Sequence, residues 1–340
     1  MMNGRVVFSG LWGIVCLCVV SVVAPEGARA ATLNVPGDYP TVQAALDAAA
    51  EGDEIVVAPG AYPESLQFRG PNVVLRSTDP LDPAVVSATV LNASMVNPPN
   101  RPAVVIFSGQ EGPSCRLAGF TVLLGGSDSW DAGGGISGNG TRATIENCVI
   151  QDCVADFGGA IGDCNGLIRG CVIERNRGKR GAGGLYRCQG EIRECQIREN
   201  VSESDGGAFS SCNGLIVANE ILNNQAARAG GGLYNCAGEI LNNTLSNNTA
   251  ESGGGLSNCA AREISGNRIQ FNKATQRGGG LYSCWAEIRH NEILENEAGL
   301  EGGGIYGSVR SLVENDLLRN RAANGGGLHG GANLILDNDF

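Results

Sequence analysis

Aromatic residues make up only 5% of this 340-residue chain, and charged residues only 17%. Globular α/β enzymes rarely have that composition. Histidine is nearly absent, with His290 and His329 alone. Lysine and arginine number 24 against 35 aspartates and glutamates, a net charge of −11. A nucleic-acid partner needs clustered cations, so none is expected. Beyond the N-terminus no segment is apolar for the ~20 residues of a membrane helix. No stretch of the repeats has helical spacing, which excludes leucine-rich and helical solenoids. Glycine, in contrast, numbers 52. Without a three-residue period, that excess points to a turn-rich repeat and away from collagen.

Residues 1–30 read as a signal peptide. Arg5 supplies the positive start, an apolar run covers residues 6–23, and Ala28-Arg29-Ala30 offers small residues for cleavage. The run is just long enough to span a membrane as an anchor, but the Ala-x-Ala site favours cleavage. The mature chain is expected to be exported, extracellular or on the outer cell surface, with no membrane span after signal cleavage.

The strongest signal is a ladder. A pair of small residues followed by an apolar residue recurs with the apolar position at Ile136, Ile161, Leu185, Phe209, Leu233, Leu256, Leu281, Ile305 and Leu328. The gaps are 25, 24, 24, 24, 23, 25, 24 and 23. Each unit holds three short apolar-centred stretches separated by Gly, Cys or Asn. The fold class expected is all-β, a parallel β-helix of three-sided coils of about 24 residues.

Equivalent residues of successive coils then stack about 4.8 Å apart. One slot reads Cys148, Cys171, Cys195, Asn219, Asn243, Asn267, Asn291, Asn315, Asn338, and another Asp152, Asn176, Asn200, Asn224, Asn248, Asn272, Asn296, Asn320. Asn tolerates left-handed backbone at a turn, and its amide can bond to the copies above and below. A third slot is Cys164, Cys188, Cys212, Cys236, Cys259 and Cys284. Disulfides, free thiols and metal are the alternatives there. Parallel side chains suit the S–S dihedral poorly and do not converge as metal ligands do, so buried free thiols are expected and no metal. A fourth slot, Arg180, Asp205, Arg228, Glu251, Arg277 and Glu301, alternates in sign and is expected to help hold register.

The ends differ from the middle. Residues 31–53 read as a strand and an N-terminal capping helix, with Val42, Ala45, Leu46 and Ala49 on one face, Thr41 as cap and Gly52 as stop. Residues 54–132 read as irregular coils, with strands expected at 54–57, 73–75, 85–91, 104–107 and 115–124 and a Pro-rich surface loop at 97–102. Residues 133–340 are the regular repeats, with no C-terminal cap. That leaves a truncated product, an exposed last coil or one that pairs with something as the alternatives.

The entry, Asp38-Tyr39-Pro40-Thr41-Val42-Gln43-Ala44-Ala45-Leu46-Asp47-Ala48-Ala49 followed by Gly52-Asp53-Glu54-Ile55-Val56-Val57-Ala58-Pro59-Gly60-Ala61-Tyr62-Pro63-Glu64, resembles that of pectin-lyase-like right-handed parallel β-helix proteins. The repeats, with Gly158-Gly159-Ala160-Ile161 and Ile269-Gln270-Phe271-Asn272, are similar to those of polymorphic outer-membrane proteins. The resemblance implies a right-handed coil in a bacterial exported protein and leaves activity open, because the fold hosts many functions. The Asp pair with Gln and Arg of pectin methylesterases, the clustered Asp of polygalacturonases and the Asp-Pro-His-Asp of alginate epimerases are not found.

Two functions follow. The first is a non-catalytic surface protein in adhesion, envelope structure or glycan contact, with a polysaccharide or the cell envelope as partner. Tyr186, Tyr234, Tyr282 and Tyr306, then His329, should face outward, as glycan-stacking rings or simply as residues that suit a strand surface. Glu239, Glu263 and Glu287 fall on adjacent coils, with Glu191 further back, and could hold Ca²⁺. Arg193 and Arg289, two residues beyond Glu191 and Glu287, favour neutralisation instead. No catalytic residue and no cofactor is expected on this reading. The second is a lyase or epimerase on uronate polysaccharides, for which Asp128, Asp131, Asp152, Asp156 and Asp163 are the acidic cluster to test.

Overall fold

A computed structural model describes residues 30–94, 96, 102–127 and 133–340. The signal peptide, all but Ala30, lies outside these residues, as do Asp128, Asp131 and nearly all of the Pro-rich loop.

The chain is a stack of coils in which every strand pairs in parallel with its counterpart one coil away. One coil shows how the sequence produces this. Leu233–Tyr234 is its first strand, Glu239–Leu241 its second, Thr244–Ser246 its third and Thr249–Ser252 its fourth. Each strand is ended by one residue with left-handed backbone: Asn235 at φ 51°, Asn242 at 55°, Asn247 at 57° and Gly253 at 65°. The residue after each of the first three corners, Cys236, Asn243 and Asn248, turns inward and is buried. At the fourth corner the chain passes so close to the next coil that a Cβ on Gly254 would lie 2.6 Å from the Gly279 carbonyl oxygen, which excludes any side chain.

Eight coils therefore carry a fourth strand, one more than the three apolar-centred stretches of the sequence. The extra strand is hard to read because its inward residue is small: Ala226, Ala250, Ala274 and Ala298 in successive coils. The corners correct a second expectation. The stacked Asn is not itself left-handed; the residue before it is, and that residue varies among Ala218, Asn242, Gly266, His290 and Glu314 in the first row. Only the residue that has turned the corner faces the core, so the row keeps Asn for hydrogen bonding and not for turn geometry.

The apolar slots stack as expected. Ile136, Ile161, Leu185, Phe209, Leu233, Leu256, Leu281 and Ile305 pair in unbroken register and are fully buried; Leu328, last in the row, is half-buried. Ile192, Ile216, Ile240, Ile264 and Ile288 form a second such row, and Ile197, Ile221, Leu245, Ile269 and Ile293 a third. Burying each of these side chains contributes about 1.5–3 kcal/mol.

At the N-terminal end, α1 (Val42–Ala48) closes the stack. Thr41 Oγ1 accepts the Ala44 N–H, and Val42 and Ala45 pack into the core. Its first turn is also held from outside, because the Glu64 carboxylate accepts the N–H groups of Val42 and Gln43 at 3.0 and 2.9 Å. The strand expected over 85–91 is instead α2 (Pro83–Ala88) followed by a strand at Thr89–Asn92. Asp82 accepts the Ala84 N–H and Pro83 supplies a preset first helical turn, an N-terminal signal stronger than the β preference of Val85 and Val86. The stretch over 115–124 is two strands, Arg116–Ala118 and Thr121–Leu123, split by the corner at Gly119. No helix among the described residues is long and apolar enough to cross a membrane.

Candidate functional site

The inward rows are chemically quiet. Each Asn donates its backbone N–H and its side-chain amide to the carboxamide oxygen of the next; Asn219 reaches Asn243 Oδ1 at 2.9 and 3.0 Å. The remaining amide hydrogen goes to a backbone carbonyl, Ile192 O at 2.9 Å. At the first coils cysteine does the same work: Cys195 Sγ accepts the Cys171 N–H at 3.4 Å. The second row begins with Cys153, whose N–H meets Asn176 Oδ1, and not with Asp152. The coil is one residue shorter there, so Asp152 lands on the left-handed corner and points outward to Arg175 at 3.1 Å.

The eleven cysteines of the described residues are free and buried. Burial pushes the thiols of Cys115 and Cys153 up to about 12, and raises those of Cys164 and Cys212 as well. Thiols so protonated are poor nucleophiles and poor metal ligands.

The outward rows carry the candidate residues. Tyr282 stacks on Tyr306 with ring centroids 5.3 Å apart and 6° between planes, and Tyr306 stacks on His329 at 5.4 Å. Arg277 lies over the Tyr306 ring at 5.3 Å and pairs with Glu301 at 2.9 Å. Tyr186 packs on Phe157 at 4.9 Å. Tyr234 lies between Ser210 and Ser257, and both serines are buried. All four tyrosines are half-buried, and Tyr186, Tyr282 and Tyr306 each have another ring packed against them. In the Tyr282–Tyr306–His329 stack, ring edges and hydroxyls, more than open faces, are what is presented to a ligand.

Glu239, Glu263 and Glu287 do stack, Glu239 beside Glu263 and Glu263 beside Glu287. Each has its own arginine: Arg262 at 3.4 Å, Arg289 at 2.7 Å and Arg310 at 3.5 Å. Its hydrogen bond from Arg289 holds the Glu263 carboxyl below the usual carboxylate range. This row is neutralised by cations from its own protein. Among the described residues, the acidic residues of the enzyme reading are dispersed in the same way. Asp156 is held by Lys179 and Arg180 at 3.7 and 3.4 Å, Asp152 by Arg175, and Asp163 occupies a different corner of the coil.

The spacing between the fourth strand and the next apolar slot is not constant: it is seven residues at Val154 to Ile161, Thr249 to Leu256 and Arg321 to Leu328, and eight in the coils between them. From Gln225 to Leu233 the chain advances eight residues, from Thr249 to Leu256 seven, and from Lys273 to Leu281 eight, although both ends of these segments pair in register. The middle coil is one residue short, and the ladder shifts register between Ala250 and Ser252. The result is a notch of about 430 Å³, lined by Gln225, Ala226, Ala227, Thr249, Ala250, Glu251, Thr275 and Gln276. In the alternating charge row Asp205 pairs with Arg228 at 3.8 Å and Arg277 with Glu301. Glu251 makes no ion pair among the described residues and accepts instead from Gln276 Nε2. Sequence reasoning overlooked the notch, although its signal was the gap of 23 followed by one of 25.

A family model described as "Right handed beta helix region" matches residues 134–283. The stack is a right-handed parallel β-helix. This β-helix is also similar to the A-module of the mannuronan C-5 epimerase AlgE6 from Azotobacter vinelandii, at 17% identity over 88% of this chain and 93% of that one, with a TM-score of 0.34. So low a score supports no transfer of activity. No curated protein matches significantly.

Proposed function

We propose that the protein is an exported, non-catalytic β-helix that acts at the cell surface or outside the cell, in glycan contact, adhesion or envelope structure. The carrying observation is the way charge is disposed along its sides. Carboxylates pair with arginine or lysine one coil away, at Asp156, Glu239, Glu263, Glu287 and Glu301 alike. General acid–base chemistry requires groups that converge on one substrate atom. Rows of neutralised pairs supply a rigid, patterned polar surface instead. The Tyr282, Tyr306 and His329 edges and the notch at Glu251 add hydrogen-bonding groups suited to sugar hydroxyls.

The test is direct. The purified chain, incubated with pectate and with alginate in the presence of Ca²⁺, is expected to produce neither unsaturated uronate absorbance nor new reducing ends, and to be retained on one or more immobilised polysaccharides. Turnover that disappears in Asp156→Asn would replace this reading with that of a uronate-active enzyme.

A further inference from the structure

We propose that the notch at Glu251 is a binding subsite for an uncharged sugar unit of a glycan chain. This inference rests on the glycan-contact reading and names the class of ligand. Its first support is shape. The one-residue deletion between Thr249 and Leu256 lowers a single coil between two longer ones, so the notch is built by the backbone and needs no side chain to move. Its volume of about 430 Å³ is in the range of small-molecule sites.

The second support is the chemistry of the lining. Gln225 offers an amide donor and a carbonyl acceptor, Thr249 and Thr275 offer hydroxyls, and the Gln276–Glu251 pair keeps one amide hydrogen, the Gln276 carbonyl and the second Glu251 oxygen for a ligand. Ala227 is exposed and supplies a methyl group for the apolar face of a sugar ring. Vicinal hydroxyls, each both donor and acceptor, match that set. A peptide does not, because the lining strands Gln225–Ala226, Thr249–Ser252 and Lys273–Arg277 are interior to their sheet and leave no edge for an added strand.

The third support is charge. The only ionic group in the lining is Glu251. The cations flanking the notch are paired elsewhere, Arg228 with Asp205 at 3.8 Å, Lys273 with Glu297 at 3.2 Å and Arg277 with Glu301 at 2.9 Å. A uronate would place its carboxylate against Glu251 while each flanking cation is already paired with a carboxylate of the protein. The notch therefore selects neutral sugars.

The experiment uses the full chain, neutral hexasaccharides of glucose, xylose and mannose, and hexagalacturonate, with binding followed by calorimetry and by NMR line broadening of the sugar. Three variants accompany it: Ala227→Trp, which fills the notch from an exposed position, Gln276→Ala and Glu251→Lys, each checked for an unchanged melting curve. At least one neutral oligosaccharide is expected to bind and hexagalacturonate not to. Ala227→Trp should abolish binding, Gln276→Ala should weaken it by roughly tenfold, and Glu251→Lys should admit hexagalacturonate. Neutral-sugar binding that survives Ala227→Trp places the glycan site elsewhere, overturning the notch while leaving the glycan-contact reading standing. Tighter binding of hexagalacturonate by the unaltered chain overturns the selectivity argument. Failure of every saccharide to bind overturns both.

Discussion

Replacing Asn267 by Leu and by Cys separates hydrogen bonding from shape in the stacked rows. Asn267 is 1% exposed. Its Oδ1 accepts the N–H and the side-chain amide of Asn243 at 2.9 and 3.1 Å, and its Nδ2 donates to Ile240 O, Ser265 O and Asn291 Oδ1 at 2.8, 3.0 and 3.0 Å. Leucine has similar bulk but none of these groups. The buried Asn243 N–H would be left without an acceptor, at about 1–3 kcal/mol, and the lost donations add roughly another 1 kcal/mol. A total near 3 kcal/mol corresponds to a fall of about 5 °C in melting temperature for a domain of this size. Cysteine retains an acceptor and a weak donor, as Cys195 does for the Cys171 N–H at 3.4 Å, so Asn267→Cys should lose less than half as much. Thermal melts give the total, and exchange of the Asn243 amide hydrogen gives the local effect, which in a solenoid is concentrated in the neighbouring coils. If Leu is tolerated as well as Cys, the row is not held by its hydrogen bonds and the reasoning fails.

Other consequences are as specific. Phe271 is 44% exposed and sits on a left-handed corner at φ 56°; Phe271→Gly removes a strain of about 1–2 kcal/mol, partly offset by the entropy of glycine, and should leave the melting temperature unchanged or higher. The Asp53 carboxyl accepts the N–H groups of Ala50 and Ala31 and is held below its ordinary value of 3.8. A carboxyl lowered on folding contributes stability that is whole above the unfolded value and is lost as pH falls through the folded one. Acid titration followed by hydrogen exchange should therefore loosen the N-terminal strand below about pH 4, and Asp53→Asn should flatten that pH dependence. The thiols are buried, and burial raises those of Cys115 and Cys153, so they should resist a thiol reagent at neutral pH in the folded protein and react together on denaturation; rapid labelling of the native chain would contradict their placement.

The number of residues per coil was determined by the sequence alone, because identical slots must stack and any slot that prefers its own copy repeats visibly. That is why the apolar row from Ile136 to Leu328 and the Asn row from Asn219 to Asn338 were legible, as was the capping helix with Thr41 at its start. A period counts residues without saying which of them faces the core. Only the tertiary structure decided that Cys153 and not Asp152 opens the second row, since that depends on where a one-residue shortening is absorbed. The fourth strand was hidden for a related reason: its alanines are buried by the narrowness of the coil and carry no hydrophobic signature of their own. The pairing of Glu239, Glu263 and Glu287 with Arg262, Arg289 and Arg310, and the isolation of Glu251, depend on distances between coils that residue spacing does not encode. Local chemistry repeated often enough writes a fold into a sequence, whereas a site made by one missing residue exists only once neighbouring coils are packed against it.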